Sequence, residues 1–225
     1  MSSIKTFTIY AGVNGAGKST LFEIDKPNER GVRLNSDEIV KDSGQDWRDD
    51  KAQLEAGKEV LRRQEECFKN GLSFNRETTL SGHNIVKTVE RAHRLKYKIC
   101  LMYVGVESPQ IAQERVKKRV EQGGHGVSKD TIERRFSNSK ENLFKIIPYC
   151  DEVILYDNSG TTFQDVASIV GKEITRTPHP CLWCDKLLNE FKVYQKTGTT
   201  LETAPTERAE DPSVNNNAND DSERV

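Results

Sequence analysis

The chain has 225 residues, 31% of them charged, and a formal net charge of −1. That balance gives no global attraction to nucleic acid or to an acidic membrane, so any basic site must be local, and the length suits one α/β domain with a sizeable core. No basic and apolar leader opens the sequence, and no apolar run approaches the roughly 20 residues needed to span a bilayer, so a cytoplasmic protein with no membrane partner is expected.

In chain order, an apolar strand predicted over residues 5–11 runs into Gly12-Val13-Asn14-Gly15-Ala16-Gly17-Lys18-Ser19-Thr20 and a short helix. Strand, Gly-x-x-x-x-Gly-Lys-Ser and helix form a phosphate-binding loop, or P-loop. Its glycines let backbone N–H groups converge on phosphate oxygens, Lys18 reaches the β- and γ-phosphates, Ser19 ligates magnesium and Thr20 meets the α-phosphate. ATP and Mg2+ are therefore the expected ligands of residues 12–20. A switch GTPase is set aside, because no Asn-Lys-x-Asp element is present. Leu80-Ser81-Gly82-His83 is not read as a transporter ATPase signature, since no apolar strand ending in Asp-Glu follows it.

A second strand, residues 32–34, delivers Asn35-Ser36-Asp37 to the C-terminal edge of the sheet, where ligands bind in open α/β folds. Asp37 is a candidate general base for an acceptor hydroxyl or a magnesium partner one shell out, with helix N-capping as the plain alternative. Residues 49–70 read as a helix with Leu54, Val60, Leu61 and Phe68 on one apolar face. The next strand, residues 72–76, ends in Glu77-Thr78-Thr79-Leu80-Ser81-Gly82. Glu77, Thr79 and Ser81 suit a polyhydroxylated ligand, although turn hydroxyls also satisfy local amides.

A helix over residues 84–95 and a strand over 98–106 follow. Ser108-Pro109 then opens a helix that stops at Gly123-Gly124, and Ser128 opens another reaching residue 149. This hairpin, about residues 108–149, reads as a basic lid that closes over phosphates. Arg119 and Arg135 are its expected phosphate clamp, with Arg134 as a further nucleotide contact and His125 as either a lid contact or a turn residue. After a strand over 153–156, Asp157-Asn158-Ser159-Gly160 is placed near the nucleotide base or is a plain turn, and residues 169–175 form an edge strand or hairpin partner.

In His179-Pro180-Cys181-Leu182-Trp183-Cys184 a zinc site lacks a second ligand pair, so Cys181, Cys184, Leu187 and Leu188 read as a helix packed on the sheet. The five cysteines read as buried small hydrophobes without a disulfide. From residue 196 the composition becomes polar and acidic, giving a kinase domain over 1–195 and a disordered tail over 196–225. The fold expected is the α/β P-loop kinase fold: a mainly parallel sheet flanked by helices, with a helical lid.

The ordered set Gly-Val-Asn-Gly-Ala-Gly-Lys-Ser-Thr, Leu-Asn-Ser-Asp, Glu-Thr-Thr-Leu-Ser-Gly, Tyr-Val-Gly-Val, Gly-Gly-His-Gly-Val and Leu-Tyr-Asp-Asn-Ser, within residues 4–159, resembles the zeta-toxin family of P-loop kinases, in its compact branch. Members of that family phosphorylate the 3′-hydroxyl of UDP-N-acetylglucosamine with ATP and magnesium, and some are neutralised by an antitoxin that blocks the ATP site. The resemblance implies Lys18 on the β/γ-phosphates, Asp37 as base, Glu77 and Thr79 on the nucleotide sugar, and lid arginines at Arg119 and at Arg134 or Arg135. The larger toxins place an arginine where this chain has Ser81. The competing readings are a kinase for another nucleotide, a dinucleotide or a nucleic-acid hydroxyl, and a nucleotide-dependent regulator that transfers nothing. A nucleic-acid acceptor is disfavoured because the aromatics fall mostly in predicted core segments.

Overall fold

Along β1 (Thr6–Ala11) successive side chains point to opposite faces of the sheet. Phe7, Ile9 and Ala11 enter one apolar cluster and Tyr10 enters another, so β1 is covered on both sides. Strands buried on both faces are characteristic of parallel sheets. The computed structural model describes residues 4–25, 30–82 and 84–198. Its elements continue with α1 (Lys18–Ile24), β2 (Val32–Leu34), α2 (Ser36–Asp42), α3 (Asp50–Asn70), β3 (Phe74–Thr78), α4 (Asn84–Arg94) and β4 (Lys98–Gly105). They end with α5 (Pro109–Glu121), α6 (Lys129–Ile146), β5 (Glu152–Asp157), β6 (Gln164–Val170), β7 (Glu173–Arg176) and α7 (Leu182–Thr197).

The strands lie in the order β2-β3-β1-β4-β5-β6-β7. The first five are parallel, and β6 and β7 add an antiparallel edge. β1 leads to α1 between two strands reached by crossovers in opposite directions. The glycine loop therefore sits at the topological switch point, the place where open sheets of this kind bind ligands.

Several expectations move. β3 starts at Phe74 instead of residue 72, since Leu72 is exposed, so Glu77 and Thr78 belong to the strand, opposite Tyr10 and Ala11 of β1. The buried stripe of α3 is Ala52, Ala56, Val60, Gln64, Cys67 and Phe68. Leu54 and Leu61 are 60% and 39% exposed, because Ala52 and Ala56 are the residues that pack against Val40 of α2 and Trp47, and the larger leucines point away. The expected edge strand over 169–175 spans a turn at Gly171, φ 59°, so the hairpin is two strands, β6 and β7. The helix expected to reach residue 149 ends at Ile146 and tightens into a 3-10 turn, Ile147–Tyr149, because Pro148 has no N–H for the helical ladder. Lys196 and Thr197 complete α7, and Gly198, φ 70°, caps it. The rest of the expected tail, residues 199–225, lies outside the described residues.

Cys181 and Cys184 are buried with Leu187, Leu188 and Phe191 against the main core. Phe74 is the centre of that core. It stacks on Phe7 at 4.4 Å between ring centroids and meets Phe68 and Tyr97 edge-on. Truncating it leaves a cavity ringed by aromatics that cannot collapse. Phe74→Ala is expected to cost about 3–5 kcal/mol of unfolding free energy in a urea titration, with the slope unchanged.

Candidate active site

The glycine loop is fixed by backbone demands that only glycine meets. Gly12, Gly15 and Gly17 have φ values of 143°, 83° and 106°. A side chain at Gly12 would lie 2.3 Å from the Val104 carbonyl oxygen, and one at Gly15 would lie 2.3 Å from that of Ala112. The loop is thus pressed between β4 and the first lid helix. Asn14, Gly15, Gly17, Lys18, Ser19 and Thr20 line a cavity of about 580 Å³. Gly12, Val13 and Ala16 do not reach it. Gly12 N–H donates to Thr78, and the Val13 carbonyl accepts from Lys18 Nζ at 3.1 Å. The Ala16 carbonyl accepts from Asn158 Nδ2 at 2.7 Å, which ties the loop after β5 to the glycine loop.

Lys18 is buried, and burial pushes its ammonium below the ordinary lysine range, with Glu77 and then Asp37 opposing the shift. Glu77 Oε1 is 3.6 Å from Lys18 Nζ, and its carboxylate accepts from Ser19 Oγ at 3.1 and 3.2 Å. Arg33 donates to the other side of that carboxylate at 2.9 Å and Asn35 Nδ2 at 3.0 Å. Arg33 itself lies on the Phe22 ring at 3.6 Å and pairs with Glu38. Glu77 is therefore directed at the end of the glycine loop, between Lys18 and Ser19. Arg33 lies in a three-residue strand with no periodicity to mark it, so nothing in local pattern points to its role.

Helix α2 is capped by Asn35, whose side chain accepts from Asp37 N–H at 3.0 Å. The capping role considered for Asp37 is thus filled by its neighbour, and the Asp37 carboxylate is free to face the site. A second cavity, about 550 Å³, opens there, with Asp37, Trp47, Arg48, Thr79, His125 and Arg135 among its walls. Asn14, Lys18, Asp37 and Glu77 line both cavities. The two spaces meet at these four residues. A further cavity of about 280 Å³, between β4, α6 and α7, touches the glycine loop only through Val13.

The lid arginines divide. Arg119 lines the first cavity and Arg135 the second, where Arg135 donates to Asn14 Oδ1 at 2.6 Å. Arg134 is exposed and lines neither. Ser81 also stays outside both, and its hydroxyl lies 2.8 Å from that of Thr79. The turn carrying them is held from α6, because Asn142 Nδ2 donates to the carbonyl of Leu80 at 2.6 Å. The structure adds Arg115, Phe163, Trp47 and Arg48 to the walls. Arg115 stands out among these, with one guanidinium nitrogen on the Gly160 carbonyl at 2.9 Å and another buried without a partner. Its position in a basic helical run resembled a solvated face. Asn14 was legible as a loop residue, but its link to Arg135 was not.

Because Arg33 neutralises a nearly buried carboxylate, its loss leaves Glu77 short of a partner. Arg33→Met is expected to destabilise the protein by about 3 kcal/mol. The double variant with Glu77→Gln should recover a measurable part of that loss in a double-mutant cycle.

The zeta toxin family model matches residues 3–166. An uncharacterised protein of Haemophilus influenzae is 30% identical over 128 residues, covering 56% of this chain and 89% of that protein. A chain from the AvrRxo1-ORF1:-ORF2 complex with ATP superposes with a TM-score of 0.63 at 15% identity, covering 83% of this chain and 64% of its own. This chain thus spans somewhat less than two thirds of that neighbour. A chain from the PezAT chromosomal toxin–antitoxin system of Streptococcus pneumoniae gives a TM-score of 0.55 at 14% identity, with 87% of each chain covered. Those two likenesses establish a shared P-loop kinase-like fold, and the family match, covering most of the described residues, establishes that the chain belongs to the zeta toxin family.

Proposed function

We propose that this protein transfers the γ-phosphoryl group of ATP to a hydroxyl of a small molecule, the first cavity holding the donor and the second the acceptor. The observation that carries this reading is the shared wall: Asn14, Lys18, Asp37 and Glu77 face both cavities. A phosphoryl group crossing from one to the other passes between Lys18 and Asp37. Asp37 accepts the proton of the attacking hydroxyl as the new O–P bond forms and the bond to the β-phosphate oxygen breaks. Lys18, Arg119 and Arg135 hold the charge that spreads over the transferring oxygens.

The residues present fit a nucleoside triphosphate and a metal. Arg115 and Arg119 each carry a buried guanidinium nitrogen without a protein partner beside the glycine loop, and such donors call for an anionic ligand. Ser19, backed by Glu77, is the residue that would hold magnesium, which when bound supplies neutralising charge to the phosphates. Glu77, expected from the sequence to meet the acceptor, is better placed to serve this donor side. Asn158 and Phe163 are assigned to the base of the nucleotide, and the domain is assigned to residues up to 198, where α7 is capped, with residues 108–149 as its lid.

For the acceptor, family membership supports UDP-N-acetylglucosamine or a related nucleotide sugar. A different nucleotide or dinucleotide is supported by one observation: Ser81 lies outside the cavity, at the position where larger family members carry an arginine. Likeness to a chain of a toxin–antitoxin system supports an antitoxin partner that covers the donor cavity. No helix among the described residues is long and apolar enough to cross a membrane, which fits the proposed cytoplasmic setting.

Three measurements test this reading. Incubation with ATP and a nucleotide-sugar panel, followed by mass spectrometry, should yield one acceptor heavier by a single phosphate. Lys18→Met should lower phosphate transfer about 100-fold or more and remove the rise in melting temperature that ATP produces in the wild type. Asp37→Asn should lower transfer by a similar factor of about 100 while keeping that ATP-induced rise, because the carboxylate acts on the acceptor proton. Undiminished transfer in Asp37→Asn would refute the mechanism.

A further inference from the structure

The lid tip, Gly123-Gly124-His125-Gly126, is wrapped around one arginine. Gly124 N–H donates to the Arg119 carbonyl at 2.8 Å, and Arg119 Nε donates to the His125 carbonyl at 2.7 Å. The lid tip is thereby tied to α5 at two points, Gly124 N–H and the His125 carbonyl. The tip also meets the segment joining α2 to α3: the His125 ring packs on Trp47 with centroids 4.8 Å apart at 65°, and a side chain at Gly126 would lie 2.8 Å from the Trp47 ring. A ring held this way presents its two nitrogens in fixed directions.

Those nitrogens have different surroundings. Nε2 lies 3.9 Å from Asp37 Oδ1, whereas Nδ1 is buried with no hydrogen-bond partner. A proton on Nδ1 would be a buried donor without an acceptor, so the neutral ring carries its proton on Nε2, facing the carboxylate. The charged groups around the ring are Asp37 from α2, Arg48 beside Trp47, Arg119 from α5 and Arg135 from α6. Burial pushes the imidazole below its ordinary pKa and the two lid arginines add to this, against the opposing pull of Asp37. The uncharged ring is the form present at neutral pH.

We infer that His125 is a positioning residue whose Nε2–H, brought in by the lid tip, holds the Asp37 carboxylate in the orientation that receives the acceptor proton. The inference rests on Asp37 being the base. The 3.9 Å separation exceeds a direct hydrogen bond, but the Asp37 side chain is 42% exposed and has room to turn toward the ring. Hydrogen bonds of this kind are long in unliganded sites and tighten with substrate bound. Docking of the lid tip on Trp47 then both covers the acceptor cavity and completes the base.

The test uses the full-length protein with ATP and water as the probe reaction, read as phosphate release, together with 15N NMR of its four histidine rings. His125→Ala is expected to lower kcat about tenfold or more while KM for ATP changes less than about twofold, as for partners that orient a catalytic group. His125→Gln, whose amide N–H reaches the Nε2 position, should restore most of the rate. His125→Asn, whose amide reaches only the Nδ1 position, should not. The ring signal missing from the His125→Gln spectrum should be that of an Nε2–H tautomer, a readout that needs no turnover. Restoration by Asn instead of Gln, no advantage of Gln over Ala, unchanged turnover in His125→Ala, or an Nδ1–H tautomer would each overturn the inference. Loss of turnover in Asp37→Asn alongside an unaffected His125→Ala removes this inference and leaves the kinase reading standing, whereas unaffected turnover in Asp37→Asn removes both.

Discussion

A lysine ammonium buried at the end of a glycine loop is the constraint around which the site is built. Lys18 gives up hydration when the loop folds, and the cost is offset by the Val13 carbonyl and the Glu77 carboxylate. Glu77 in turn is anchored by Arg33 and Asn35, and Arg33 is anchored by the Phe22 ring and Glu38. A charge that must be buried near a ligand thus recruits a chain of partners running through β2, α2 and β3. That chain explains why the short strand β2 is kept at the edge of the sheet. It brings Asn35 and Arg33 to Glu77, and it leaves Asp37 two positions beyond the cap.

The lid is attached to this frame at three different places. Arg135 reaches Asn14 in the glycine loop, Asn142 grips the turn after β3, and His125 meets Trp47 in the wall of the second cavity. Helix α6 is also held from behind, where Phe144 packs on Phe191 and Tyr194 of α7. Rigid support at one end and contacts to both cavities at the other suit a segment that closes over them. Arg115 and Arg119 line the first cavity, and each has a buried guanidinium nitrogen without a protein partner.

Much of the fold is legible in local pattern. Strands β1, β4 and β5 are apolar runs flanked by turn residues, and α5 and α6 announce themselves through Ser-Pro and Ser caps. Where local pattern misled, a tertiary neighbour decided. Leu54 and Leu61 look like a helix's buried face, yet it is the small face of Ala52 and Ala56 that meets α2 at Val40. Gln164, Asp165 and Ser168 mask β6, whose pairing with β5 is antiparallel and only half covered. Asp37 carries both a capping and a catalytic reading in sequence, and the Asn35 cap separates them.

The sequence by itself determined that a phosphate-binding loop exists, because a glycine-rich turn with positive φ, a lysine and a hydroxyl must be adjacent in the chain to surround a phosphate. It also determined that a basic helical hairpin follows β4 in the chain. The tertiary structure alone decided which charges belong to the site. Arg135 faces Asn14 while Arg134 faces solvent, and Arg115 turns inward from a run that reads as a solvated surface. Neighbouring positions on a helix differ by about 100° in direction, so which one meets the loop is set by how the helix docks. Docking is a long-range event: residue 135 meets residue 14 only after the sheet has brought their elements together.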